Sequence, residues 1–356
     1  MSVIKRIFAA SLGAAGSRRG NSPLLWPVLT LLALCLLNLG FNPHFLSVRL
    51  LDHHLFGAPI DILNRAVPLI LVGLGMTLVI ATRGIDISVG AVVAIVAAMA
   101  AALLGGSQAF TGGWSPAAAI AAALGIGLVC GLWNGTLVAL VGMQPIIATL
   151  ILMVAGRGVA QLLTAGQVIT ISNPAYLFVG GGYLLGIPVS LYVVAVVLAV
   201  TAWLLEGTAL GLFIRAIGIN PVATRLVGLR ANAIVFWVYG FSGFTAGLAG
   251  ILISSNLRSA DGNNAGLLLE LDAILAVTLG GTSLLGGRFS LAGTVLGALI
   301  IQTLTYTTYS IGVPPEATLV VKAVVVLLVS VIQSPTARLW LGARLRLPAR
   351  SVGAAR

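Results

Sequence analysis

A chain of 356 residues that is 59% hydrophobic and only 8% charged, with a mean hydropathy of +1.11, is excluded from the water-soluble globular proteins. The formal charge of +11 does not mark a nucleic-acid binder, because basic residues collect in the tails and loops: Lys5, Arg6, Arg18 and Arg19 at the start, and Arg338, Arg344, Arg346, Arg350 and Arg356 at the end. There they set topology and touch lipid headgroups. Both tails are therefore expected inside, giving a cytoplasmic tail over 1–23, a transmembrane region over 24–334 and a basic cytoplasmic tail over 335–356.

A span needs about 20 mostly apolar residues, and that rule predicts an all-α polytopic membrane protein with about ten transmembrane helices. The first, 24–41, is followed by an outer segment with Arg49, Asp52, His53 and His54. The second, 61–82, ends in ATRGIDISVG, where Gly84 permits a tight turn and Asp86 or Ser88 caps the third span, 88–104. A cap alone accounts for the carboxylate. Yet Arg83 and Asp86 would each cost about 3 kcal/mol at a bilayer centre, so a functional role stands beside it.

In the fourth span, from Pro116, Gly127, Gly131 and Gly135 recur every four residues and make a smooth strip for close helix approach. Asn134 lies beside the strip and, if buried, needs an interhelical partner. The fifth span opens at Pro145 and carries Arg157 about 18 Å along the helix, followed by Gln161 and Thr164 on the same face. That polar face points either to a pathway or to a structural partner on a neighbouring helix. Cys35 and Cys130 sit in apolar runs without metal-ligand spacing and read as packing residues.

An outer segment, 165–187, leads to the sixth span, 188–205. Next comes EGTALGLFIRAIGINPVATRLVGLR, with Arg215, Arg225 and Arg230 on the inner side. Thr208 reads as an N-cap, Gly218 as a C-terminal stop and Asn220-Pro221 as the start of a second short helix. Two cytoplasmic helices between spans six and seven form either a docking surface or an ordinary loop whose arginines set topology. The seventh span, 231–254, is glycine-rich and leads into the polar loop SNLRSADGNNAG. Glu270 and Asp272 open the eighth span on different faces, which argues against a paired acid and base. The ninth runs over 290–311, with Gly293 and Gly297 as a packing pair, and the tenth ends near Ser334. A weak internal echo relates LVIATRGIDISVG, from Leu78, to LAVTLGGTSLLGG, from Leu275.

Only two lysines occur, Lys5 and Lys322, and neither lies in a P-loop. The chain therefore has no ATPase site of that type. Hydrolase and zinc-protease motifs are likewise missing, so an enzyme is not expected.

Four stretches carry a resemblance: GMTLVIATRGIDISVGAVVAI, GLWNGTLVALVGMQPIIATLILMVAGRG, TALGLFIRAIGINPVATRLVGL and ELDAILAVTLGGTSLLGGR. Over Ile60 to Gln333 the chain resembles the bacterial sugar-importing ABC permeases, the group with the ribose, xylose and arabinose membrane subunits. DHHLFGAPIDILNRA and RSADGNNAGLLLELDAILAV are most similar to a membrane subunit of the galactofuranose importer. The resemblance implies a multi-pass subunit of the bacterial inner membrane that works by alternating access, with no cofactor or metal of its own. Its expected partners are an ABC ATPase with two fused cassettes that uses the ATP, a periplasmic sugar-binding protein, and a second permease subunit, identical or not. The 208–229 loop becomes the ATPase-coupling segment, with Thr208, Gly211, Arg215, Ala216, Gly218, Asn220 and Gly228. Asp86, Asn134, Gln144, Arg157 and Gln161 are expected near the pathway. Arg83 departs from the pattern, standing where a small residue is expected. The alternatives are an ABC permease for a pentose or signalling sugar, an ion-coupled secondary transporter, and a structural partner without a pathway.

Overall fold

The computed structural model describes residues 24–51, 54–107 and 111–333. The two basic tails read from the sequence, together with Asp52 and His53, lie outside the described residues.

The described helices are α1 (Leu25–Phe41), α2 (Ala58–Ala81), α3 (Val89–Gly105), α4 (Pro116–Gly135), α5 (Pro145–Thr164), α6 (Pro174–Gly181), α7 (Val189–Gly207), α8 (Leu210–Ile219), α9 (Pro221–Leu226), α10 (Ala231–Leu257), α11 (Leu269–Leu279), α12 (Leu291–Ser310) and α13 (Pro315–Gln333). Short π-helical backbone, Thr136–Leu140, prolongs α4. Among the described residues six helical segments are long and apolar enough to cross a membrane: Ala58–Ala81, Pro116–Leu140, Pro145–Thr164, Val189–Gly207, Ala231–Leu257 and Leu291–Ser310. The predicted eighth span is shorter than the rule required. Its helix, α11, has 11 residues, about 16 Å against a hydrocarbon thickness of about 30 Å. Gly266 and Leu268, at φ 65° and 61°, keep the preceding backbone out of helix, so α11 begins late.

Three small antiparallel ribbons interrupt the helical pattern: β1 (Arg49–Leu51) with β2 (His54–Phe56), β3 (Val168–Thr170) with β6 (Ser259–Asp261), and β4 (Tyr183–Leu184) with β5 (Ile187–Pro188). Connecting backbone packed on apolar helices must find partners for its own N–H and C=O groups, and pairing supplies them. The β3–β6 ribbon thereby joins two connections far apart in sequence, with Val168 opposite Asp261 and Thr170 opposite Ser259.

The chain divides into two compact units, through Thr303 and from Leu304 onward. In the first, α10 packs on α2, α3, α4 and α6, and α3 packs on α5. Two kinds of contact hold this core. Where backbones approach, side chains are missing: a Cβ on Gly131 would lie 2.3 Å from the Tyr239 carbonyl oxygen, and one on Gly127 would lie 2.9 Å from that of Gly243. On Gly135 it would lie 2.7 Å from the Phe236 carbonyl, so all three glycines of the predicted strip face α10. Gly293 and Gly297 bring α12 equally close to Gly280 and Ala276. Elsewhere hydroxyls join helices: Tyr176 Oη and Ser254 Oγ are 2.6 Å apart, Ser255 Oγ donates to the Tyr176 carbonyl at 2.7 Å, and Thr77 and Thr294 Oγ1 are 2.7 Å apart. In the second unit α12 ends and, after Gly312 at φ 83°, the chain turns into α13. Thr307, Thr308 and Thr318 are buried there.

Candidate functional site: a polar node and a helix junction

The seven-residue turn Thr82–Ser88 follows α2, and two groups of contacts spread from it. The first is a buried polar node. Asp86 is 1% exposed, and its Oδ1 accepts from the Ser88 amide at 3.1 Å and the Ser88 hydroxyl at 2.6 Å. Asn134 Nδ2, on α4, donates to Ser88 Oγ at 2.8 Å and reaches Asp86 Oδ1 at 3.4 Å. Ser242 Oγ, on α10, donates to Asp86 Oδ2 at 2.8 Å. The carboxylate thus caps its own turn and also bridges two helices. Ser242 gave no signal in a glycine-rich run. Tyr239 is fully buried with its Oη unpartnered, and a Cβ on Gly84 would lie 2.4 Å from that oxygen.

An amide can keep the Oδ1 acceptor and a turned Ser242 hydroxyl, so Asp86→Asn is expected to fold. Asp86→Ala strands Ser88, Asn134 and Ser242 in apolar surroundings and should cost about 3 kcal/mol. Thermal melting of the detergent-purified variants checks the difference; equal melting points would remove the node from the stability argument.

The second group is a junction with α8. Arg83 Nε donates to the Gly218 carbonyl and Arg83 Nη2 to the Ile219 carbonyl, both at 2.6 Å. A second turn closes the junction. The Gly287 amide donates to the Ala81 carbonyl at 3.0 Å, and Arg215 lies over the Phe289 ring, 5.0 Å from its centroid. Gly218 is buried between the turns: a Cβ there would lie 2.0 Å from the Ala81 oxygen and 2.3 Å from the Gly287 nitrogen. It is not the stop that the sequence suggested, because α8 continues through Ile219 and ends at Asn220. Close approach, and no left-handed turn, is why glycine stands there. Thr208 is likewise displaced as a cap. Its hydroxyl donates back to the Leu204 carbonyl and accepts from the Leu210 amide, while Ala209 holds the cap position. Asn220 caps α9 as expected, its Oδ1 accepting from the Val222 and Ala223 amides at 3.1 and 3.0 Å. Gly211 approaches the Leu205 carbonyl, Ala216 accepts the Asn220 amide, and Gly228, at φ 81°, turns the chain towards α10. Arg225 donates to Asn232 Oδ1 at 3.0 Å.

The other expected pathway residues do not join the node. Arg157 is spent on a loop: Nη1 donates to the Ala265 carbonyl at 2.6 Å and to that of Asn263 at 3.3 Å. That loop is held from within by Asp261, whose Oδ2 accepts from Asn264 Nδ2 at 2.7 Å. This bond first, then the Asn263 and Asn264 amides and the charge of Arg157, hold the Asp261 carboxyl below its usual range against its desolvation. Gln161 is exposed beside a hollow of about 520 Å³ lined also by Gly158, Leu162, Ala165 and Gly166. Gln144 is exposed at the start of α5, and its side chain makes no capping bond. Glu270 is buried with Oε2 unpartnered, against Gly90, whereas Asp272 is only half-buried. The two acids do point apart. No cluster of three or more metal-ligating side chains occurs among the described residues.

The family described as branched-chain amino acid transport system / permease component matches residues 58–330. The galactofuranose transporter permease protein YtfT of Escherichia coli is 52% identical, over 89% of this chain and 92% of its own length. The fructose import permease protein FruF of Bifidobacterium longum is 38% identical over 88% of both chains, and the ribose import permease protein RbsC of Haemophilus influenzae 39% identical over 80% and 85%. No solved structure matches the chain. With most of its length matched and full-length sugar permeases among its relatives, the chain belongs to this permease family, as a multi-pass membrane subunit of the ABC sugar-importer type and not as an enzyme.

Proposed function

We propose that this permease imports galactofuranose or a related monosaccharide across a bacterial inner membrane, driven by ATP hydrolysed in a partner with two fused cassettes. The reading takes about ten membrane-crossing segments with both termini cytoplasmic. A periplasmic binding protein delivers the sugar, and a second permease subunit completes the pathway. The chain itself binds no cofactor.

One observation carries the coupling part of this reading. The α8–α9 pair is anchored on one side by Arg83 and by Arg215, and presents Leu212, Val222, Leu226 and Val227 exposed on the other. Leu226 is 84% exposed. Apolar side chains displayed on a braced helical pair suit a docking surface better than a lipid-headgroup loop, which would favour charge. Alternating access then follows if the docked ATPase binds the two states of α8–α9 with different affinity. A hydrogen-bonding pathway suits a sugar, because cargo must also be released; Asp86, Asn134, Gln144, Arg157 and Gln161 remain the proposed polar residues along it.

The sugar assignment leans on the 52% identity to a galactofuranose permease. The fructose and ribose permeases at 38% and 39% make a different monosaccharide the second reading. Purification from the native membrane in mild detergent, with mass spectrometry of what accompanies the chain, is expected to return an ATPase with two P-loops. Proteoliposomes made from that complex should then accumulate labelled galactofuranose with added ATP. Uptake by the chain alone, collapsed by an uncoupler at constant ATP, would replace the reading with ion-coupled transport.

A further inference from the structure

Arg83 occupies a position that costs the backbone and is used by the side chain. At φ 67° it is in the left-handed region, which glycine fills without penalty and a long side chain resists. Nothing in the turn itself requires an arginine. What the arginine does is reach out of its own turn, across 135 and 136 positions of sequence, to the last two carbonyls of α8. Those carbonyls lie at the negative end of the helix and lack amide partners within α8, so a guanidinium fork both satisfies and neutralises them.

The same seven residues make every other connection needed to pass a displacement inward. Thr149 Oγ1, on α5, donates to the Ile85 carbonyl at 3.3 Å. Asp86 binds Asn134 on α4 and Ser242 on α10. Ser88 leads directly into α3. Ile214 of α8 packs in one buried cluster with Leu78 and Val79 of α2 and with Val238 and Tyr239 of α10, and the short hydrogen-bonded turn adds a polar route from α8 to four core helices, with Arg83 as its side-chain link to α8. The neighbouring turn supports the link: a Cβ on Gly286 would lie 2.6 Å from Arg83 Cγ, so that glycine leaves room for the arginine's stem.

We propose that Arg83 is a positioning residue that ties α8 to the Thr82–Ser88 turn, so that movement of α8 is delivered through Asp86 and Ile85 to α3, α4, α5 and α10. The proposal rests on the reading that α8–α9 docks on the ATPase. The strained arginine is then part of the transport mechanism and not a cap alone.

The test uses the full chain in nanodiscs, alone and with its co-purified ATPase. Arg83→Gly is the informative variant because it removes the guanidinium while relieving the left-handed strain, so the fold should be kept. Amide hydrogen exchange over 210–220 in the chain alone is expected to rise about tenfold, with the exchange of α10 unchanged. In the complex, sugar moved per ATP hydrolysed should fall about tenfold while the ATPase still co-purifies. Arg83→Lys, which keeps the charge but not the fork, should recover part of both losses. Unchanged exchange in Arg83→Gly would overturn the tether. Faster exchange with unchanged transport per ATP would leave a cap and overturn transmission alone. A wild-type chain that retains no ATPase would overturn the docking reading, and the transmission built on it.

Discussion

Gly131→Leu is expected to prevent recovery of folded protein. The reason is that α4 meets α10 backbone to backbone. A Cβ at position 131 would lie 2.3 Å from the Tyr239 carbonyl oxygen and 3.0 Å from the Gly243 nitrogen and Cα, and Gly243 in turn faces Gly127 and Gly131. Side chains can change rotamer to admit a methyl group, whereas a helix backbone can only move as a whole. Ordinary overpacking costs about 1–3 kcal/mol, and separating this seam would add lost contacts along α4 and strain on the Asn134–Asp86 node beside it. Gly125 supplies the control on the same helix, since a Cβ there meets nothing within 4 Å. Gly125→Ala should be neutral or slightly stabilising, because alanine is the better helix former by about 1 kcal/mol. Size-exclusion profiles and melting curves of the two variants decide the matter. A monodisperse Gly131→Leu protein melting with the wild type would show that the seam can open.

Much of the architecture follows from patterns that act locally. Long apolar runs place the helices to within a few residues, as with 145 for the start of α5 and 231 for that of α10, because lipid sets their length. A four-residue glycine period brings Gly127, Gly131 and Gly135 onto one face, and that face is the one α10 meets. Asn220 is legible as a cap because its acceptor serves amides two and three residues away. The site is less legible, since its partners are chosen by tertiary packing. Arg157 shares a helical face with Gln161, but the carbonyls it serves lie 106 and 108 positions away, on a loop whose course no periodicity encodes. Ser242 looks like one more small residue until Asp86 is placed against it. Gly218 is recognisable as special, yet a glycine at a helix end suggests a stop, and only the neighbouring turns reveal a close approach. The internal echo gains a spatial counterpart: the segments from Leu78 and Leu275 each end a helix in a turn, and both turns meet the end of α8.

Gly218→Ala is expected to reduce sugar transport about a hundredfold while leaving membrane insertion intact. A single methyl group suffices, because the added Cβ would stand 2.0 Å from the Ala81 oxygen and 2.3 Å from the Gly287 nitrogen, between the partners of a 3.0 Å hydrogen bond. Neither partner can retreat cheaply: Ala81 closes α2, and Gly287, at φ 79°, is fixed in a left-handed turn. The end of α8 must lift instead, which stretches both Arg83 bonds and shifts the face bearing Ile219 and Val222. Gly218→Pro should act in the same direction and more strongly, since it also disturbs the last helical turn. Insertion should survive because Gly218 lies outside the six long apolar segments and meets only the last residue of one of them, Ala81. Gly228→Ala separates geometry from mere loop damage: its left-handed φ of 81° is strained by a side chain, yet no atom lies within 4 Å of the new Cβ. It should cost about 1 kcal/mol of local stability and little transport. The deciding measurement is sugar accumulated per ATP hydrolysed in proteoliposomes at matched protein incorporation. If Gly218→Ala transports like the wild type, α8 is not the element through which ATP hydrolysis reaches the membrane helices. If it hydrolyses ATP while moving no sugar, the closely packed junction is where the two processes are joined.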